Sequence, residues 1–200
     1  MTNMNGFEKR AKLIKQKIMK TTLDMLRTWE PKKIRIADIA KLANVSQVTI
    51  YNYFGSKEAL LREVLKDYVD RSIQQFEEYM RGDHSFKEKI QFMILQEQQS
   101  YQTLSPHIIK ELVLDDLEIY QYVEDQKNKR AIPLFIQLIN DGKEAGEISP
   151  RVSIQTIFTY IGLYMSQAKE LYDAAEQSGD PKGFFDELMH VFFYGICGKE

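Results

Sequence analysis

The stretch IADIAKLANVSQVTIYNYFGSKEALL, Ile36 to Leu61, decides the reading of this chain. Ile36, Ile39 and Ala40 recur at helical spacing, Ala43 and Asn44 make a turn, and a second run from Ser46 to Phe54 closes at Gly55. Ser46 has the hydroxyl that an N-cap needs, and Gly55 tolerates the left-handed conformation that ends a helix. Two short helices so closely joined, packing through Ile36, Ile39, Ala40, Val45, Ile50 and Phe54, have the proportions of a helix-turn-helix. With Ile50 turned inward, the advance of about 100° per residue turns Val48 and Asn52 outward, flanked by Thr49 and Tyr51. That face offers hydrogen-bonding groups and few charges, which suits the edges of bases. Ser56 can cap the next helix, and Lys57 in its first turn stands where backbone N–H groups and an ammonium can hold one phosphate.

Charge supports the same end of the molecule. The whole chain of 200 residues carries a net charge of only -2. Residues 1–57 hold nine Lys and three Arg against four acids, a net +8, so the remainder carries -10. A basic lobe on an acidic body attracts polyanions through one end alone. The same charge also fits a solvated helix face, or a helical interaction protein whose basic N-terminus docks an acidic partner or surface.

Composition and periodicity give the architecture. Five Pro and ten Gly are few for this length, whereas eleven Tyr, eleven Phe and eight Met are many, a balance that favours an all-α fold. Ala11, Ile14, Ile18, Thr22, Met25 and Trp29 define a first amphipathic helix that ends at Pro31. A long helix runs from Ser56 to about Met80. Later ones are expected at about Ser85–Thr103, from Ser105-Pro106, across Val123–Lys143 with Pro133 kinking it or marking its start, and at about Arg151–Gln177 and Pro181–Gly198. The expectation is an N-terminal three-helix bundle, residues 1–56, followed by an antiparallel bundle of five to six helices, residues 57–200. The last two helices are apolar around most of their circumference. One side then faces the chain's own core and the other a second copy, or both are buried in a single chain.

The helix-turn-helix segment resembles the TetR family of transcriptional regulators. The resemblance covers about residues 10–65 and rests on Asp38-Ile39-Ala40, Val45-Ser46, Thr49-Ile50-Tyr51, Tyr53-Phe54 and Ser56-Lys57-Glu58-Ala59-Leu60. It implies a homodimer on a double-stranded DNA operator, with a divergent C-terminal domain that holds a small-molecule effector and pairs its last two helices with those of a partner. Carried onto this chain, base-reading positions fall on Gln47, Val48, Thr49 and Asn52, and phosphate positions on Ser46, Tyr51, Tyr53 and Lys57. Lys33 and Arg35, with Lys32, add cations beside them. Gln47 and Asn52 can each pair with adenine, and Val48 can touch a thymine methyl. The chain departs from the family in having Glu30 and Asn44 where glycine is usual, and Arg35 where a capping Thr or Ser is usual.

The rest of the sequence gives catalysis little support. His84, His107 and His190 are far apart, Cys197 stands alone, and no nucleophile elbow, zinc-protease or phosphate-loop spacing occurs. Asp115-Asp116 and Glu124-Asp125 read as solvated helix acids. No enzyme activity, cofactor or metal is expected. Candidate effector contacts are Phe92, Met93, Gln96, Tyr101, Tyr120, Phe135, Tyr160, Tyr164 and Gln167, aromatic, Met and amide groups of the kind that line apolar cavities. Candidate dimer contacts are Ile157, Ile161, Tyr164, Leu188, Phe192 and Ile196. One cysteine, no secretory leader and no membrane-length apolar run make the cytoplasm the expected compartment.

Overall fold

The computed structural model describes residues 6–104, 108 and 110–196. Among these there are ten α-helices and no strand: α1 (Gly6–Leu26), α2 (Ile36–Ala43), α3 (Gln47–Phe54), α4 (Lys57–Arg81), α5 (Phe86–Thr103), α6 (Leu117–Gln126), α7 (Ile132–Glu144), α8 (Ile154–Ser166), α9 (Ala168–Gln177) and α10 (Pro181–Ile196). The chain divides into two compact units, Met1–Ser72 with Leu104–Asp125, and Ile73–Thr103 with Gln126–Glu200. None of the described helices is long and apolar enough to cross a membrane.

The first unit is built on α1 to α3 and the first part of α4. Ile18, Leu26, Ile34, Ile39, Ala40, Ala43, Ile50, Leu60 and Leu65 fill its core. Leu104, Ile108 and Ile119 share that core, so the segment that carries α6 belongs with the N-terminal helices despite its distance in sequence. Polar links from α4 reinforce it: Arg62 bonds Asp116 at 2.8 Å, Lys66 bonds Glu118 at 2.8 Å, and Tyr122 donates to Asp70 at 2.7 Å. Asp116, an acid expected to be merely solvated, also caps α6 by accepting from the N–H groups of Glu118 and Ile119.

The second unit surrounds Phe76, Met80, Phe86, Ile90, Phe135, Ile139, Ile148, Ile157 and Ile161. Within it α9 packs on α5, α8 and α10.

Several boundaries differ from the sequence reading, each for a local reason. α1 stops at Leu26 rather than at Trp29, because Pro31 holds Glu30 extended (φ -63°, ψ 136°) and the chain unwinds before it. Trp29 is consequently outside the helix and exposed. Ahead of Pro133 the backbone widens into a π-helical turn, Lys127–Ala131, which accommodates a ring that would clash in an unbroken α ladder. The stretch Arg151–Gln177 is two helices. α8 begins after Ser153, whose hydroxyl caps Thr156 N–H, and it ends where the Ser166 hydroxyl takes the Leu163 carbonyl. The helix expected from Ser105-Pro106 starts outside the described residues.

Asn44 is the sharpest local constraint. It takes the left-handed conformation (φ 49°, ψ 55°), and its N–H bonds the Ala40 and Lys41 carbonyls. Asn44→Val should therefore destabilise the fold by about 1–2 kcal/mol, whereas Asn44→Gly should leave it equal or more stable. Urea denaturation checks this, and equal stability of the two variants would contradict the turn geometry.

Candidate nucleic-acid interface

The rotation of α3 follows from two buried side chains. Ile50 is fully buried and Phe54 nearly so, both in the core of the first unit. Gln47, Val48, Tyr51 and Asn52 consequently face water. Val48 remains 66% exposed although it is apolar. Val48 and Asn52 lie one turn apart, about 6 Å along the axis. The helix has no charged residue, and Ser46 caps it by accepting the Thr49 N–H at 2.9 Å.

That cap changes the standing of two expected contacts. The Ser46 and Thr49 hydroxyls lie 2.8 Å apart in a hydrogen bond, and Thr49 is half-buried. Gln47, Val48 and Asn52 are open in a way that Thr49 is not. Tyr51 is exposed, but Tyr53 is half-buried and packs on the hydrophobic core, its ring centroid 6.4 Å from that of Phe54.

The expected phosphate-binding cations already have intramolecular partners. Lys33 pairs with Glu30 at 3.0 Å and Lys32 with Glu111 at 3.7 Å. Arg35 stands at the N-cap position of α2 without a side-chain cap bond, and its guanidinium instead grips Asp38 at 2.8 and 3.1 Å. This hydrogen bond holds the Asp38 carboxyl below the ordinary carboxylate range and raises Arg35. Arg35 is exposed and Asp38 half-buried, so the guanidinium remains open to a phosphate that competes with Asp38. Lys57 is turned inward. Its ammonium donates to the Pro31 carbonyl at 2.7 Å and is half-buried rather than free at the surface. The links Lys32–Glu111, Arg62–Asp116 and Lys66–Glu118 carry no motif, and only the alternation of charge could have hinted at them.

In the second unit, Phe92, Met93, Phe135, Tyr160, Tyr164 and Leu188 fall in or against one hydrophobic cluster. Phe135 meets Phe158 edge-on at 4.5 Å, and the Tyr160 and Tyr164 hydroxyls lie 3.3 Å apart. Burial, and then the bond with Tyr160, pushes the Tyr164 phenol up to about 12. Gln96 is half-buried and Gln167 exposed. Tyr120 is exposed and belongs to the first unit, so it does not join the others. The Tyr101 side chain lies outside the described residues.

The apolar helices α8 and α10 also resolve differently from expectation. Ile157 and Ile161 are buried in the chain's own core, in one cluster with Phe135 and Ile139 of α7. Leu188 and Tyr164 are half-buried there, and the side chains of Phe192 and Ile196 lie outside the described residues. Among the described residues of α8 and α10, the large exposed apolar groups are Leu163 at 61%, Val191 at 61% and Tyr194 at 76%.

Known proteins resemble the chain at both levels. The family model for bacterial regulatory proteins of the tetR family matches residues 31–64. An uncharacterized HTH-type transcriptional regulator of Bacillus subtilis, YhgD, is 29% identical over 132 residues, 64% of this chain and 68% of its own length. The HTH-type transcriptional repressor KstR2 of Mycobacterium tuberculosis is 21% identical over 133 residues, 63% of this chain and slightly under two thirds, 64%, of the repressor. Among solved structures, the regulator FadR from Bacillus subtilis in complex with stearoyl-CoA superposes with TM-score 0.64 at 21% identity, covering 90% of this chain and 98% of that one. Reduced E. coli NemR does so with TM-score 0.65 at 18% identity, covering 89% and 95%. At these identities the structures speak for the fold alone, while the match of residues 31–64 to the family model and the regulator relatives support a TetR-family transcriptional regulator.

Proposed function

We propose that the protein is a homodimeric transcriptional repressor that reads a pseudo-palindromic operator through α3 and is released by a small molecule held in its second unit. The observation that carries this reading is the outward, uncharged face of Gln47, Val48 and Asn52 beside a cationic turn. Gln47 and Asn52 each have an amide that pairs with adenine N6 and N7, worth about 1–3 kcal/mol of discrimination per good pair. Val48 meets a thymine methyl. Lys33, Arg35 and Tyr51 contact phosphates that fix register without reading sequence. Ser46 and Thr49 serve mainly to cap and orient the helix.

A dimer presents two such helices about 34–36 Å apart, or a multiple of that distance. The exposed Leu163, Val191 and Tyr194 supply an apolar face for the pairing. The effector reading draws support from the aromatic cluster around Phe135, Tyr160 and Tyr164 and from FadR, which was solved with stearoyl-CoA. An apolar effector with a group that meets the two tyrosine hydroxyls fits this lining. Because α4 continues from one unit into the other, tilting it alters the distance between the two α3 helices. A near-complete switch needs about 5.5 kcal/mol of preference for one state.

Selection from a random duplex pool tests the proposal. A palindromic consensus is expected, bound roughly 10³–10⁷ times tighter than random DNA at fixed salt, and Asn52→Ala should relax preference at one base position. Recovery of unrelated sequences would refute the reading, and an unchanged consensus in the variant would remove Asn52 from base contact. Leu163→Asp combined with Val191→Asp should give monomers in sedimentation while thermal stability is kept. A persistent dimer would place the interface elsewhere.

A further inference from the structure

We propose that Lys57 is a positioning residue for DNA binding, its ammonium fixing the Pro31–Lys33 turn and, through it, the cations Lys32, Lys33 and Arg35 beside α3. The proposal rests on the DNA-binding reading above. Lys57 Nζ lies 2.7 Å from the Pro31 carbonyl oxygen, a bond between residues 26 apart in sequence. Among the described residues that oxygen otherwise accepts a long bond, 3.3 Å, from Ile34 N–H. It therefore has an acceptor site available, and a charged donor fills it with roughly twice the strength of a neutral one. Half-burial of the lysine reinforces the argument, since an ammonium drawn in from water must be satisfied where it lands.

The turn needs such an anchor. It is three residues long, Glu30 gives it no side-chain cap bond, and its proline fixes only one backbone angle. Pro31 and Ile34 are buried, but Lys32 and Lys33 between them are exposed, with side chains 85% and 71% accessible. Small changes in the height or twist of this turn move both ammonium groups, and the chain enters α2 at Arg35 directly afterwards. Lys57 sits in the first turn of α4, next to the end of α3. Its bond thus ties the phosphate-facing turn to the same helix start that follows the reading helix. A lysine engaged in this way acts on the phosphates through other cations.

A double-mutant cycle on the full-length chain, measured against the duplex recovered by selection, tests the role. Lys57→Met should weaken binding about tenfold, while Lys57→Arg, which keeps a donor, should stay within roughly threefold of the natural chain. Lys33→Ala should cost about threefold in the natural chain and distinctly less in Lys57→Met, because its phosphate is already lost. The salt slope in Lys57→Met should fall by more than the ~0.9 per protomer of a single phosphate contact. Additive effects with a slope loss of about 0.9 would make Lys57 itself the phosphate ligand, and unchanged affinity would give it no part; either overturns the positioning role while leaving the regulator reading intact. If Lys57→Met fails to fold, Lys57→Gln, too short to reach Pro31, takes its place in the cycle. Failure of the natural chain to prefer any duplex overturns the underlying reading instead.

Discussion

The reading helix and everything it presents depend on the burial of Ile50. An eight-residue helix in isolation has little stability, so α3 exists because Ile50 and Phe54 are held in a core shared with α1, α2 and α4. The same burial sets its rotation. A shift of one residue would turn each side chain by about 100° and exchange the outward set for the inward one. Gln47, Val48 and Asn52 are therefore presented as a consequence of packing, and their chemistry acquires meaning only from that constraint.

Around this helix the charges are sorted by position. Lys15, facing α4, pairs with Glu63 at 2.8 Å, and Arg62 and Lys66 pair with Asp116 and Glu118. Lys33 and Arg35 have acidic partners too, but these are neighbours three residues away in the chain, Glu30 exposed and Asp38 half-buried. Pairs of that kind contribute little to stability, which leaves the cations free to exchange partners for phosphates. The cations of the first unit are thus divided between struts inside it and an exchangeable set at its edge.

Local chemistry was legible in the sequence, and tertiary orientation was not. Ser46, Asn44, Gly55 and Ser56 announce the caps and turns of the helix-turn-helix, because each acts on backbone groups within a few residues. Lys57 could be placed in a first turn but not aimed, since its partner Pro31 is 26 residues away. The segment that carries α6 gave no sign of joining the N-terminal unit, for the same reason. Ile157 and Ile161 lie in the chain's own core, which the sequence could not show because α8 is apolar on most sides and periodicity does not choose between two greasy faces. Leu163, Val191 and Tyr194 stand out only once the core has claimed their neighbours.

The central claim is that packing of Ile50 delivers Gln47, Val48 and Asn52 to the duplex. Nuclear magnetic resonance of the side-chain amides is the most direct test, because Gln47 and Asn52 each report their own contact. On addition of the selected duplex the account predicts large shifts of both amides, with those of exposed Gln155 and Gln167 in the second unit unmoved. Binding that perturbs other resonances and leaves Gln47 and Asn52 in place would contradict it.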